Sequence, residues 1–270
     1  MGEFLLATPF GDEPLEEIHL ASAPLVRVIA QLRYPQLASM ADDTVAHAFA
    51  KEVSGDYPLF EEAREISLLI AGATISQQEQ VTSQVWRLQT ADGKWLVTLG
   101  RNSLSLEALA YAGRHDFCDR LVRLASVFIR KAAPPRFDRF GIRYVNRVTN
   151  GGTIADLPKL VRPEMMGTAA LTLPDDVTVN HSLLEEQFNR GAHSMLIRCG
   201  ILPAGATIDL AVPATNLPSW ILDIDSAVNG GDVVTVDKIG YLATDLAERA
   251  YRFFRYAVSR DFLRVFEVSQ

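Results

Sequence analysis

The sequence has little cysteine and no long run of apolar residues. Its 270 residues include two cysteines, Cys118 and Cys199, which lie far apart and form no CxxC pair. A disulfide framework or a cysteine-based zinc site is therefore not expected. No stretch approaches the roughly 18 uninterrupted apolar residues of a membrane-spanning helix. The first residues lack the basic start and apolar centre of a signal peptide, so we expect a cytoplasmic protein.

The sequence also lacks the short motifs that carry common catalytic and cofactor-binding chemistry. Its five histidines are scattered and form neither HExxH nor HxH, the patterns that bring two imidazoles to one zinc ion. No GxSxG elbow, phosphate-binding loop or dinucleotide-binding glycine pattern is present. We therefore predict no catalytic residue, no metal and no cofactor. A non-enzymatic protein is the favoured interpretation, and an enzyme stays an alternative.

The composition that remains is that of an ordinary globular protein. Apolar residues make up 48% and charged residues 22% of the chain, so it can bury a core. The net charge of −7 argues against a dedicated nucleic-acid binder, which usually shows a basic balance. Residues 1–21 are acidic and contain Pro9 and Pro14, so we expect a loosely held N-terminal tail.

Residues 22–135 contain the patterns of one strand, one helix, four strands and a long helix. Leu25 to Tyr34 alternates apolar and polar residues, as a half-buried strand does, and Ser39 to Val53 has apolar residues at helical spacing. The chain then ends this half with a long amphipathic helix, Arg114 to Ala132. The four predicted strands between the helices are Ile66 to Thr74, Ser83 to Thr90, Lys94 to Gly100 and Leu104 to Ala108.

Residues 136–270 repeat this order, which predicts an internal duplication. Short sequence echoes support it, since Leu32-Arg33-Tyr34 matches Ile142-Arg143-Tyr144, and Leu104 to Glu107 matches Leu222 to Asp225. The predicted elements are the strand Phe137 to Val148, a short helix Thr153 to Val161, the strands Ser182 to Asn189, His193 to Ile201, Thr207 to Val212 and Ser219 to Asp225, and a final helix Asp237 to Ser259.

This order predicts an α+β fold of two tandem β-α-β4-α units. A long amphipathic helix that follows a mainly antiparallel sheet normally covers one face of it. Two such units form a curved sheet with helices on one side, as in the TATA-binding-protein and helix-grip folds, and leave the other face open. That comparison transfers no function. We expect any site to lie where the first strands of the two units meet.

Four sequence blocks resemble a sporadically distributed bacterial protein family of unknown function. They are APLVRVIAQLRYP at 23–35, WRLQTADGKWLVTLGRNSLSLEALAY at 86–111, RFGIRYVNRV at 139–148 and ILDIDS at 221–226. The blocks span most of the chain, and RxGIRYVNR is the most specific. The resemblance implies one bacterial cytoplasmic fold and brings no catalytic residue with it.

Arginines at alternate positions mark the two first strands as candidate binding surfaces. Residues of one parity on a strand project from one face, and guanidinium groups suit phosphate or carboxylate recognition. A second interpretation stays open, in which these arginines pair with acidic residues, namely Glu107, Asp223 and Asp225. The predicted ligand-binding residues are Arg27, Arg33, Arg139, Arg143, Arg147, Tyr34 and Tyr144.

The acidic residues and the tryptophans each allow a more specific role. Asp223 and Asp225 lie two apart, so both project from one side of a strand, and paired carboxylates can hold a hard cation or act as acid and base. No third ligand accompanies them, which favours arginine pairing instead. Trp86, Trp95 and Trp220 resemble stacking platforms for single-stranded nucleic acid, although core packing is the preferred interpretation.

These features predict a non-enzymatic binding or protein-interaction module that uses the open face of a duplicated sheet. Its partner would be another protein or an anionic ligand. One alternative is nucleic-acid or nucleotide binding through the strand arginines. The other is a metal-dependent phosphoryl-transfer or hydrolytic enzyme around Asp223 and Asp225.

Overall fold

The computed structural model describes residues 3–267 apart from residues 12, 14, 70–78, 172, 175 and 209–211. Within this part the fold is α+β, with nine strands in one open antiparallel sheet. The strands are β1 (Leu25–Arg33), β2 (Leu59–Leu69), β3 (Glu79–Gln89), β4 (Trp95–Gly100), β5 (Ser103–Ala108), β6 (Arg139–Val148), β7 (Ser182–Arg190), β8 (His193–Leu202) and β9 (Ser219–Asn229).

The same described residues form seven α-helices and two short 3₁₀ turns. None of these helices combines the length and the apolar character needed to cross a membrane. The helices are α1 (Thr44–Val53), α2 (Arg114–Ala132), α3 (Gly151–Ala155), α4 (Leu157–Leu160), α5 (Pro163–Met166), α6 (Val236–Ala257) and α7 (Arg260–Glu267).

The strands follow the order β2-β3-β4-β5-β1-β6-β9-β8-β7 across the sheet. Strands that are close in sequence pair as antiparallel neighbours, as in β3–β4 and β7–β8, because short connections reverse the chain. β1 and β6, the predicted first strands of the two halves, are also neighbours. The chain divides into two compact units: unit 1 is Met1–Val28, Gly141–Val228 and Ala243–Gln270, and unit 2 is Ile29–Phe140 and Asn229–Leu242.

The core of unit 2 forms between β4, β5 and α2. Alternate residues of β4 turn toward the helix, and the ring of Trp95 lies 5.9 Å from that of Phe117. The ring centroids of Tyr34 and Phe128 are 4.8 Å apart. The Tyr34 hydroxyl donates a hydrogen bond to the carbonyl oxygen of Gly100 at 2.8 Å. The amphipathic pattern of α2 therefore predicts its buried face correctly, and the helix has the predicted bounds.

The core of unit 1 forms between β8, β9 and α6. Alternation on β8 turns Met195, Ile197 and Cys199 toward the helix, and all three are buried. Burial raises the pKa of the Cys199 thiol to about 12, which keeps it protonated and unreactive at neutral pH. Buried aromatic residues fill the rest of the interior, including Trp220, Phe253 and Phe262.

The N-terminal segment, predicted as a loosely held tail, makes specific contacts over its described residues. Leu5, Ile18 and Leu20 pack against the core of unit 1. The backbone N–H of Ile18 donates to the Tyr251 hydroxyl at 2.7 Å, and that of Ser22 donates to the Phe266 carbonyl at 3.1 Å. Composition misleads here because a few apolar side chains suffice to anchor an acidic segment.

One predicted helix is divided in the structure, and another ends two residues earlier than predicted. The predicted helix Thr153 to Val161 is split into α3 and α4, and the Asn150 side chain caps α3 by accepting from the Thr153 N–H at 3.0 Å. The long final helix ends at Ala257, because Val258 forms an isolated bridge with Val161. The chain then continues as α7, a break that helical periodicity does not reveal.

After the helical segment of the second half, the described residues form three strands, whereas four were predicted. The missing one is Thr207 to Val212, of which residues 209–211 lie outside the described residues and the rest is not strand. In the first half, β2 begins earlier than predicted, at Leu59, and residues 70–74 of the predicted strand also lie outside the described residues. The internal duplication therefore stays a prediction.

Gly200 provides a test of the tight contact between β7 and β8. A Cβ atom at this position would lie 1.9 Å from the Ser182 carbonyl oxygen, so the two strands would have to separate. We expect Gly200→Ala to lower the free energy of unfolding by about 2–3 kcal/mol in urea denaturation. Gly55→Ala is the control, since a Cβ there meets nothing within 4 Å. Equal losses in the two variants would contradict this packing.

Candidate functional site

Four charged side chains of alternating sign form a line across adjacent strands of unit 1. They are Arg143 on β6, Asp223 on β9, Arg198 on β8 and Glu185 on β7, and we call them the charged row. The register of the sheet pairs Asp223 with Arg198 and Arg198 with Glu185. Residues that are directly opposite on neighbouring strands lie on the same sheet face, which we call the row face.

Asp223 is the centre of the charged row because two arginines bind it. Arg143 donates through Nε to Oδ1 at 2.7 Å and through Nη2 to Oδ2 at 2.8 Å, a bidentate pair. Arg198 donates through Nη1 to the same Oδ2 at 3.4 Å, and through Nε to Glu185 Oε2 at 2.6 Å. Bidentate guanidinium pairs are strong and fix the relative orientation of their two side chains.

The charged row changes from buried to exposed along its length. The side chain of Asp223 is 1% exposed and that of Arg143 15%, whereas Glu185 is 57% exposed. Burial raises the pKa of Asp223, while Arg143 and Arg198 lower it, and burial is the largest influence. The negative charge of Asp225 also raises the pKa of Asp223. Arg143 and Arg198 therefore offset part of the effect of burial on the pKa of Asp223.

Arg147 is a second arginine of β6 on the row face, and its guanidinium is only partly satisfied. Nη1 donates to the carbonyl oxygen of Pro213, in the connection between β8 and β9. Nε and Nη2 are buried and have no hydrogen-bond acceptor among the residues that the structure describes. Burial lowers the pKa of Arg147. A buried donor without an acceptor costs free energy, so this guanidinium can gain from an anion.

The row face is open only in part, which differs from the predicted open sheet. Val145 and Ile221 project from it and are fully buried. At the other end, Leu183 on β7 is 40% exposed, beside the exposed Glu185. The connection between β8 and β9 reaches β6 at Arg147. The row face is thus accessible along β7 and the adjacent part of β8.

The structure places the two predicted tyrosines away from the row face. Tyr34 is 1% exposed in the core of unit 2. Tyr144 packs against the core of unit 1. Each follows an arginine directly in the sequence, and neighbouring residues on a strand point to opposite faces. The grouping of tyrosines with arginines therefore ignored strand parity.

The remaining predicted site residues are divided between the two units. Arg27 and Asp225 belong to unit 1, together with Arg143, Arg147 and Asp223. Three others belong to unit 2, where Glu107 pairs with Leu96 across β4 and β5; these three are Arg33, Arg139 and Glu107.

Arg198 and Glu185 are the members of the charged row that the sequence analysis missed. A usable signal was present in the predicted hairpin around Gly191. The tight turn pairs Arg190 with His193, and counting outward from that pair brings Glu185 opposite Arg198. Turn position fixes register in a hairpin, so this ion pair could have been predicted.

The contacts of the charged row do not suit a hard cation. Both oxygens of Asp223 accept hydrogen bonds from guanidinium groups. Within the described residues, no cluster of three or more His, Cys, Asp or Glu side chains could hold a metal ion. The tryptophans are also unavailable for stacking, since Trp86, Trp95 and Trp220 are all buried.

Comparison with known proteins assigns no function to this geometry. No protein-family model matches the chain, and no curated protein matches it. The resemblance to a bacterial family therefore stays a prediction. The interpretation of the site depends on the contacts described above.

Removing Arg143 tests whether Asp223 depends on it. We expect Arg143→Met to lower the free energy of unfolding by about 3 kcal/mol, because a buried carboxylate that loses its partner is left uncompensated. Lys159→Met is the control, since the side chains of Lys159 and its partner Asp156 are 76% and 54% exposed. Exposed pairs contribute about 0–1 kcal/mol. Similar losses in the two variants in urea denaturation would show that Asp223 needs no partner.

The same variant has a defined pH dependence. Arg143 lowers the pKa of Asp223, so its removal raises that pKa further above the unfolded-state value. A carboxyl with a raised pKa in the folded state binds its proton more tightly there, and stability then falls as pH rises through that pKa. We expect the deficit of Arg143→Met relative to the natural protein to shrink from pH 8 to pH 5. A deficit that grows on acidification would contradict this assignment.

Proposed function

We propose that the protein is a non-enzymatic interaction module that binds an acidic segment of another protein on its row face. The observation that carries the proposal is the pair of buried N–H groups of Arg147 that have no acceptor within the described part of the chain. A carboxylate of the partner would supply that acceptor. Hydrogen bonds to a charged group contribute about 1.5–3 kcal/mol, so one such contact is a substantial part of a moderate affinity.

The accessible part of the row face resembles a protein interface in its chemistry. The exposed Leu183 lies on the same strand as Glu185, and Arg198 is 23% exposed. Protein interfaces combine an apolar centre with a polar rim, and arginine is enriched in them. Because β7 is the last strand of the sheet, a partner can approach it from the side as well as from the face.

The nucleic-acid alternative is supported less well. The carboxylates of Asp223 and Glu185 alternate with arginines in the charged row, and they would repel a continuous phosphate backbone. Single-strand binders stack bases on exposed aromatic rings beside a basic groove, whereas the tryptophans here are buried. The chain as a whole is also acidic, with a net charge of −7.

The metal-dependent enzyme is the weakest of the three proposals. Its acidic pair would need free carboxylate oxygens for a cation, and those of Asp223 are bound by Arg143 and Arg198. A pair of guanidinium groups around a carboxylate is typical of a structural ion-pair network. This supports a binding role for the row face over a catalytic one.

We also propose that the sheet arose by duplication and that the protein works in the cytoplasm. The strand order supports the duplication, because β1 and β6 lie side by side and β5, β4 and β3 extend from one as β9, β8 and β7 extend from the other. In this arrangement Arg143 corresponds to Arg33, and Asp223 corresponds to Ser105. Only the second copy would then hold the buried ion pair, which gives the copies different roles.

Site-specific photocrosslinking tests the proposed interaction. A photoreactive phenylalanine is placed at Leu183 on the row face, or at Tyr241 on α6, which is 69% exposed. We expect a discrete protein adduct from Leu183 in cells of the source organism, and none from Tyr241. The adduct should disappear in Arg147→Met and persist in Arg264→Met, because Arg264 is 66% exposed on α7.

The controls separate protein binding from nucleic-acid binding. An adduct that nuclease treatment removes would support nucleic-acid binding instead. Adducts that form equally at Leu183 and Tyr241 would refute an Arg147-dependent site on the row face. An adduct at Leu183 whose yield is the same in Arg147→Met would refute it as well.

A further inference from the structure

A cavity of about 330 Å³ lies on the other side of the sheet from the charged row, wholly within unit 1. Phe188 of β7 and Met195 of β8 line it, and they have the opposite strand parity to Glu185 and Arg198. Phe10 and Gly11 of the N-terminal segment form another wall, and Arg252 of α6 a further one. Its size falls within the range of roughly 300–1,000 Å³ that is usual for small-molecule sites.

Arg252 is one of three arginines that line this cavity, together with Arg190 and Arg249. It is 8% exposed, and no hydrogen bond or ion pair engages its guanidinium among the residues that the structure describes. Burying a charge without a partner is costly, and buried charges in proteins are normally paired. An anion in the cavity would provide the missing partner.

The nearest carboxylate on the same helix is already bound by other groups. Asp245 Oδ2 accepts a hydrogen bond from Arg249 Nε at 2.8 Å and lies 3.1 Å from His193 Nε2. Arg255, one turn after Arg252, donates to the Tyr251 hydroxyl at 3.0 Å. Asp245, Arg249 and Tyr251 on α6 are therefore engaged within the protein, whereas Nε of Arg255 is buried with no partner among the described residues.

The N-terminal segment packs closely against Arg252 at Gly11. A Cβ atom at Gly11 would lie 3.0 Å from Arg252 Nη1. The preceding residue, Phe10, has its ring centroid 5.0 Å from that of Phe188. This packing keeps the guanidinium in a largely apolar enclosure, where its attraction to an anion is stronger than in water.

We propose that this cavity binds a small carboxylic acid with an apolar body. Its carboxylate pairs with Arg252, and its aromatic or aliphatic part lies against Phe10, Phe188 and Met195. Arginine suits this role because its planar fork matches a carboxylate with two parallel hydrogen bonds. The site is separate from the row face and does not depend on the proposed interaction there.

Titration calorimetry with matched probes tests the assignment. The probes are 4-phenylbutyrate, its neutral amide, decanoate and inorganic phosphate. We expect both carboxylates to bind the natural protein at least about tenfold more tightly than the amide, since the amide forfeits the charge-assisted hydrogen bonds. Phosphate should bind more weakly than either carboxylate because it has no apolar body. This comparison needs no variant and so does not depend on how a mutation folds.

Variants then locate the site. Arg252→Met should weaken carboxylate binding about tenfold or more and leave the amide unchanged, while Arg252→Lys should retain part of the affinity. Arg264→Met, on the exposed face of α7, should bind as the natural protein does. Equal binding of acid and amide, unchanged affinity in Arg252→Met, or tighter binding of phosphate than of both carboxylates would overturn the proposal.

One more variant tests whether an acidic residue of the chain itself neutralises Arg252. Asp12 follows Gly11 in the sequence and lies outside the described residues. Asp12→Asn should leave carboxylate binding essentially unchanged. If carboxylates bind only to this variant, the natural chain neutralises Arg252 itself and the proposal is wrong.

Discussion

The pairing of the buried Asp223 carboxylate with two arginines is the interaction that organises unit 1. It links β6, β9 and β8 through side chains in addition to backbone hydrogen bonds, and Arg198 extends the link to Glu185 on β7. A buried ion pair contributes little net stability compared with a well-packed apolar core, but losing one partner is costly. Its main effect is to fix which residues share the row face and to keep their guanidinium groups in place.

Because Arg143 and Arg198 bind Asp223, the arginines of unit 1 discussed above fall into two groups. Those in the charged row are neutralised internally and act as structure. Arg147 keeps two buried N–H groups that have no acceptor among the described residues, and Arg252 is 8% exposed with no hydrogen bond to a described residue. They lie on opposite faces of the same sheet, Arg147 on β6 against the connection between β8 and β9 and Arg252 in the cavity. The two proposed sites therefore share one physical cause and differ in the partner that each can admit.

The sequence reveals the local elements well and the long-range contacts poorly. The stripe on Arg114–Ala132 predicts a helix, and the hairpin pattern around Gly191 predicts a strand from His193 to Ile201. The structure contains both, because these patterns depend only on nearby residues. The pairing of Arg143 with Asp223 was one of two open interpretations, since parity shows the face of a side chain and not its partner. The cavity around Arg252 needed the N-terminal segment to fold back onto α6, and no local pattern reports such a contact.

Arginine side-chain NMR tests the division of the arginines most directly. In ¹⁵N-labelled protein, the Nε–H groups of Arg143 and Arg198 should exchange slowly with water and keep their shifts when sodium 4-phenylbutyrate is added. The Nε–H of Arg252 should shift progressively during the same titration, and that of Arg147 should respond to an acidic peptide. Uniform behaviour of all four signals, or a shift confined to Arg143 and Arg198, would contradict the assignment of structural and ligand-binding roles.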